Sequence, residues 1–259
     1  MATIVLAHGI ARFDELLHLA GISGVYFNGI ADHLRANGIP QVHETGVAFA
    51  DSVGVRASQL ADQVRNLPRP VHVIAHSMGG LDARHMIVKD RSLVRSLTTI
   101  GTPHNGTSFA DFGIANGGHA LVQAVQRASW PSLEGFRDLT TAACRAFNDG
   151  ARKEETSNGV KYRVVSASEH PLKVILPLQP SWTIIAKEEG ENDGLVSVAS
   201  QEWRGSGLGK VERIGFPVPA DHLNEVGWWD PAEGLFPSHY TDQIKDFYLR
   251  LAQHAIEQG

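Results

Sequence analysis

A single cysteine, Cys144, stands among 259 residues. No intrachain disulfide can therefore staple the chain, and the Cys/His spacing of a zinc site is missing too. A small buried hydrophobe is the reading that fits Cys144. No apolar run reaches the roughly 18 residues that a membrane-crossing helix needs. Lys/Arg clusters are absent, and 23 basic against 28 acidic side chains leave a formal charge of −5, the wrong sign for nucleic acid as main partner. Internal repeats, low-complexity tracts and long polar linkers are lacking as well. A strand-like run begins by Thr3, leaving no room for a secretory h-region and cleavage site. The expectation is a cytoplasmic protein if Met1 is the native start, and a secreted one if a leader was removed.

What is present is 42% hydrophobic residues with 26 glycines, enough apolar surface to offset the entropy of ordering a globular fold. The apolar residues fall in two alternating patterns. Short runs at Ile4–Ala7 and at 71–75, 97–100, 162–167 and 211–214 read as buried strands, and 42–49 reads as extended. Stretches 26–37, 52–67, 79–90 and 240–257 have helical spacing; Gly38 caps the first and Pro68 stops the second. Strands alternating with helices predict an α/β fold, a mostly parallel central sheet flanked by helices, built as one domain over 1–259. A helical insertion at about 111–152 interrupts it. Its two amphipathic stretches, 121–128 and 136–147, are either extra core helices or a lid over a substrate pocket.

The sharpest local pattern is Ala75-His76-Ser77-Met78-Gly79-Gly80, at the junction of a buried strand and a helix. A serine in that sharp turn needs small residues two positions before and after it, and Ala75 and Gly79 meet the need. The turn lifts the hydroxyl above the sheet, beside the unpaired N–H groups of a helix start. Ser77 is the candidate nucleophile, and a serine needs a base. Of 13 histidines, His222 follows the last predicted strand, where the base belongs in the order serine, acid, histidine. His104 comes too early and is expected to organise its own loop, while His239 and His254 lie at or in the last helix. Asp193, in a turn between the last two strands, is the preferred acid, with Glu169 the runner-up. Asp221 adjoins His222 too closely in sequence to reach its ring well. Ala7-His8-Gly9-Ile10 ends the first strand and can present the Ile10 N–H beside that of Met78 as a pair of oxyanion donors.

Five blocks in this order carry a resemblance: Ile4-Val5-Leu6-Ala7-His8-Gly9, the Ser77 turn, Gly101-Thr102-Pro103-His104-Asn105-Gly106-Thr107, Asn192-Asp193-Gly194-Leu195-Val196 and Asp221-His222-Leu223-Asn224-Glu225-Val226. Together they resemble the bacterial true lipases of the Pseudomonas and Burkholderia type. The resemblance implies an α/β-hydrolase with Ser77, Asp193 and His222 as triad, Ile10 and Met78 as oxyanion hole, a helical lid, and water-insoluble acyl esters as substrate. It also implies transient contact with a lipid interface through that lid. Those lipases usually hold one disulfide, whose second position here is Ala199. Their calcium ion takes an aspartate and a glutamine at positions that are Asn224 and Trp228 in this chain. No aspartate lies in the 20 residues before Asp193, although Glu188, Glu189 and Glu191 are near it. The expectation is therefore a serine carboxylic-ester hydrolase with no metal and no cofactor. An acyltransferase, thioesterase or amidase would use the same triad, and a non-catalytic ligand binder would have no need of it.

Overall fold

The computed structural model describes residues 2–10, 26–48, 51–116, 134–228 and 237–258. Six strands form one sheet: β1 (Ile4–Ala7), β2 (Val42–Glu44), β3 (Val71–His76), β4 (Val94–Ile100), β5 (Lys161–Ser166) and β6 (Val211–Gly215). Their order is β2-β1-β3-β4-β5-β6, and every neighbouring pair is parallel. A parallel sheet must be covered on both faces, and alternate residues of each strand go to different cores. Ile4, Leu6, Ile74, Ile100 and Val165 pack with α1 (Ile30–Ala36) and the last helix, Pro237–Gln258. Val5, Ala7, Val73, Ala75, Leu97 and Val164 pack with α2 (Val53–Arg65) and α3 (Met78–Lys89).

Among the described residues the remaining α-helices are α4 (Ser108–Ala115), α5 (Glu134–Asp138), α6 (Thr141–Ser157), α7 (Gln179–Glu188) and α8 (Val198–Gln201), which makes the last helix α9. The five strands and the four long helices expected from periodicity are present. Some elements differ from the expectation. The helix expected from 26 starts at Ile30, because Gly29 adopts φ 67° and ends the preceding turn. The extended run at 42–49 pairs only over Val42–Glu44. Helices α7 and α8 escaped the pattern reading; α7 has two prolines near its start and α8 spans only four residues.

Of the insertion, the stretch 121–128 lies outside the described residues. The other stretch is built into the body of the fold. Phe136, Leu139 and Cys144 join the core, and Phe147 stacks on His85 of α3 at 3.6 Å. Arg84 of α3 holds α6 by donating to Glu155 at 2.7 and 2.9 Å and to Asn148 at 2.8 Å. Cys144 is the small buried group expected, and burial pushes its thiol up to about 12. Among the described residues no helix is long and apolar enough to cross a membrane.

Candidate active site

Ser77 sits at the tip of β3 with φ 55° and ψ −134°, a conformation that a residue with a Cβ adopts only under constraint. The constraints are specific. Its N–H donates to the Ile100 carbonyl at 2.9 Å, and its own carbonyl accepts from Gly80 N–H at 3.1 Å and from the Thr102 hydroxyl at 2.8 Å. A Cβ at Gly79 would lie 2.5 Å from the Ala7 carbonyl oxygen and 2.6 Å from that of His8, so only glycine lets α3 start this close to the end of β1. Met78 opens α3, where an N–H has no partner inside the helix. On the other side, a Cβ at Gly9 would sit 2.5 Å from Ser77 Cβ and 2.9 Å from Ser77 Oγ. The His8–Gly9–Ile10 backbone thus passes directly over the serine.

The loop after β6 brings in His222, wholly buried like Asp193. His222 Nδ1 lies 2.7 Å from Asp193 Oδ2, and the His222 N–H donates to the Asp193 carbonyl at 2.9 Å. The aspartate is itself held: Oδ1 accepts from the N–H groups of Leu195 at 2.8 Å and Val196 at 2.7 Å, and Oδ2 accepts from Gln201 at 3.1 Å. His222 Nε2, the opposite end of the ring, is buried and takes no hydrogen bond among the described residues. The other two acids stand elsewhere. Glu169 accepts from the His170 N–H at 2.6 Å. Asp221 accepts from the N–H groups of Ile175, Leu223 and Asn224 at 2.9, 2.9 and 3.0 Å, and burial raises it to about 6. His104 organises its loop as expected, bonded to the Thr99 hydroxyl at 2.8 Å and stacked on Trp203 at 4.5 Å.

Four residues to which the sequence reading gave no role complete the site. Arg56, wholly buried, donates to the carbonyls of His8 at 2.9 Å and Gly9 at 3.1 Å. Its charge is met by Asp82, 2.7 Å away. Burial outweighs that cation and raises the Asp82 carboxyl to about 6. Tyr26 Oη lies 2.6 Å from His76 Nδ1, and His76 Nε2 lies 2.9 Å from Glu225 Oε2. Glu225, also 3.7 Å from His222 Nδ1, is pushed well above the usual carboxylate range by burial and by Asp193 and Asp221. For Arg56 a signal existed: it is spaced with Val53, Leu60 and Val64 on the apolar stripe of α2, an unusual place for a charge. Glu225 stands in the block around His222 without a role assigned to it, and Tyr26 and Asp82 offered none.

Among the described residues, the two positions to which the resemblance gives calcium ligands do not fit the ion. Asn224 spends its amide on the loop itself, accepting from Asp221 N–H at 3.1 Å and donating to the Trp228 carbonyl at 2.8 Å. Trp228 offers an indole N–H, which donates to the Tyr26 carbonyl at 3.0 Å, and no side-chain oxygen. Among the described residues, ligand atoms of His76, His222 and Glu225 lie within 4.8 Å of one another. Both imidazoles there are already committed to carboxylates.

With this geometry in hand, known proteins can be compared. A family model described as a PGAP1-like alpha/beta domain matches residues 51–135. The triacylglycerol lipase of Vibrio cholerae serotype O1 is 30% identical over 291 residues, covering 98% of this chain and 88% of that protein. The chain belongs to the triacylglycerol lipase family. Triacylglycerol lipase 2 of Saccharomyces cerevisiae is a second relative of this lipase-family chain, 28% identical over 90% of it and 74% of the yeast protein. Solved structures share the fold. The mature Bacillus licheniformis lipase superposes with a TM-score of 0.68 over 87% of this chain and 86% of its own, at 20% identity. A metagenomic carboxyl esterase reaches 0.73 over 100% and 76%, at 18% identity. This lipase-family chain has the α/β-hydrolase fold and is a serine ester hydrolase.

Proposed function

We propose that the chain hydrolyses lipid esters with Ser77 as nucleophile, His222 as base and Asp193 as the acid that orients it. The carrying observation is the 2.7 Å contact between His222 Nδ1 and Asp193 Oδ2, buried beside the strained Ser77 turn. Asp193 holds the imidazole with Nδ1 protonated, so that Nε2 is the atom that accepts the Ser77 proton. Ser77 Oγ forms the bond to the ester carbonyl carbon, and the carbonyl oxygen takes the charge. The N–H groups of Ile10 and Met78 stabilise that oxyanion. His222 returns its proton to the alcohol oxygen as the C–O bond breaks. Water then attacks the acyl-enzyme by the same route, giving the acid and free Ser77.

Lipid esters are favoured by the way the surface is divided. Val55, Phe112, Ile114, Leu172 and Leu176 are the large apolar side chains left exposed among the described residues. All five lie on connections leaving the C-terminal ends of β2, β4 and β5, the same end of the sheet as Ser77. The opposite end has a cleft of about 820 Å³ lined by charged groups such as Lys161, Arg163, Lys210 and Glu212. Of the insertion at about 111–152, the stretch 136–147 is core, so the lid in this reading is the part before it, covering apolar surface in water and opening at a lipid interface. Two experiments test the proposal. Asp193→Asn leaves histidine in the wrong tautomer and lowers kcat by about four orders of magnitude, while Glu169→Gln costs little; the reverse result removes Asp193 from the triad. Hydrogen exchange over 111–135 that micelles leave unchanged removes the lid.

A further inference from the structure

The peptide that passes over Ser77 is held at more points than the catalytic reading requires. Arg56 fixes the carbonyls of His8 and Gly9 from behind. From the front, Tyr26 Oη accepts the Gly9 N–H, and a Cβ at Gly9 would lie 2.8 Å from that oxygen. Three polar groups of the His8–Gly9 and Gly9–Ile10 peptides are thereby committed. The fourth is the Ile10 N–H, the group assigned to the oxyanion, which a planar trans peptide points away from the Gly9 carbonyl.

The phenol also reaches in a second direction. Burial raises the Tyr26 hydroxyl, so it keeps its proton, and burial beside His222 holds His76 in its neutral form. With a lone pair of Oη turned to Gly9 N–H, the phenolic proton goes to His76 Nδ1 at 2.6 Å. That makes His76 the Nε2–H tautomer, which donates to Glu225 Oε2 at 2.9 Å on the histidine loop. One hydroxyl therefore bonds the loop over the serine to the residue just before the serine, and the chain continues to the loop that carries the base.

We propose that Tyr26 is a positioning residue for the hydrolysis, its hydroxyl clasping the His8–Gly9 peptide to the Ser77 turn so that the N–H of the next peptide, that of Ile10, stays aimed at the developing oxyanion. The proposal rests on the triad reading above. It concerns transition-state stabilisation and leaves substrate binding aside.

The test is Tyr26→Phe, which removes one oxygen and keeps the ring. On a soluble p-nitrophenyl butyrate, kcat should fall by about 10- to 100-fold with KM within about threefold. Affinity for an alkyl boronic acid, which forms a tetrahedral adduct on serine, should weaken by the same factor as kcat/KM. A folded Tyr26→Phe enzyme with kcat within about twofold of the parent, or a loss confined to KM, overturns the clasp. Should that variant fail to fold, position 76 carries the same question. His76→Asn places an amide oxygen near the position of Nδ1 and should keep kcat within about fivefold, whereas His76→Leu should lose as much as expected for Tyr26→Phe. Equal activity of the two overturns the clasp. Ser77→Ala, assayed alongside, separates the levels: hydrolysis that survives it sinks the triad reading, whereas a dead Ser77→Ala beside a fully active Tyr26→Phe sinks the clasp alone.

Discussion

The loop at His8–Ile10 and the loop at Asp221–Trp228 flank the same serine, yet they are fixed by different physics. The first leans on a buried cation: Arg56, with Asp82 as its counter-charge, grips two of its carbonyls. The second contains no lysine or arginine and closes largely on itself, through Asn224 and through two of the three N–H groups that Asp221 accepts, the third coming from Ile175. A buried ion pair is weak evidence of stability, because desolvation cancels most of the attraction; its geometry is what it contributes. The raised Asp82 carboxyl illustrates the point, since burial wins over an arginine in direct contact. A closed set of amide bonds costs less to bury and needs no counter-ion. The second loop bears its electrostatic cost differently, without a cation: burial raises Asp221 to about 6 and pushes Glu225 well above the usual carboxylate range.

The comparison breaks most visibly at Arg56. Arg56→Met leaves Asp82 as an unpaired buried acid and frees both carbonyls, so stability should fall by about 3–5 kcal/mol. Surviving folded enzyme should lose kcat rather than KM; denaturant melts and steady-state kinetics check both. If Arg56→Met melts like the parent, the ion pair is no anchor. At the other loop, Asn224→Ala removes two buried amide bonds and should cost about 1–3 kcal/mol, read by the same melts, with the His222 loop loosened and kcat lowered.

A third, smaller effect sharpens the electrostatic side. The folded carboxyl of Asp82, at about 6, lies above its ordinary value of 3.8. Its contribution to stability is therefore fully present below pH ~4 and is lost as pH rises through ~6. Asp82→Asn should gain melting temperature relative to the parent as pH rises from ~4 to ~7; a constant difference across that window contradicts the assignment. The smallest expected effect is none at all. Prolonged chelation should leave kcat within about twofold, because the second loop is closed without a metal. A loss restored by added calcium would mean that Asn224 and Asp221 do not suffice.

Much of this was legible before any coordinates. Ser77, Asp193 and His222 stand in motifs, and motifs survive in sequence because each is a local conformational demand: a strained turn, an acid in an Asp-Gly turn, a histidine after the last strand. Periodicity gave the strands because alternate residues feed separate cores. The side chains that hold the site are different in kind. Tyr26, Asp82 and Glu225 act on partners up to 149 residues away in the chain, as His76 and Glu225 do, and one sequence contains no record of such distances. Arg56 left a trace, a charge on an apolar stripe, and Glu225 stood in the His222 block with its partner unreadable. The stretch 136–147 stood open between core and lid, and its buried Phe136, Leu139 and Cys144 place that half in the core.

The strand order has a stereochemical consequence. Ser77 rises from β3, with the β1 loop on one side and β4, β5 and β6 on the other. In the proposed mechanism the oxyanion must therefore turn toward β1 while the departing alcohol meets its proton from the side of β6. A planar ester carbonyl satisfies both demands with only one of its two faces toward the serine. The handedness of attack is then a property of sheet topology, fixed before any pocket residue is chosen. Selection between mirror-image alcohols, or between the two outer esters of a glycerol, begins with that single allowed face.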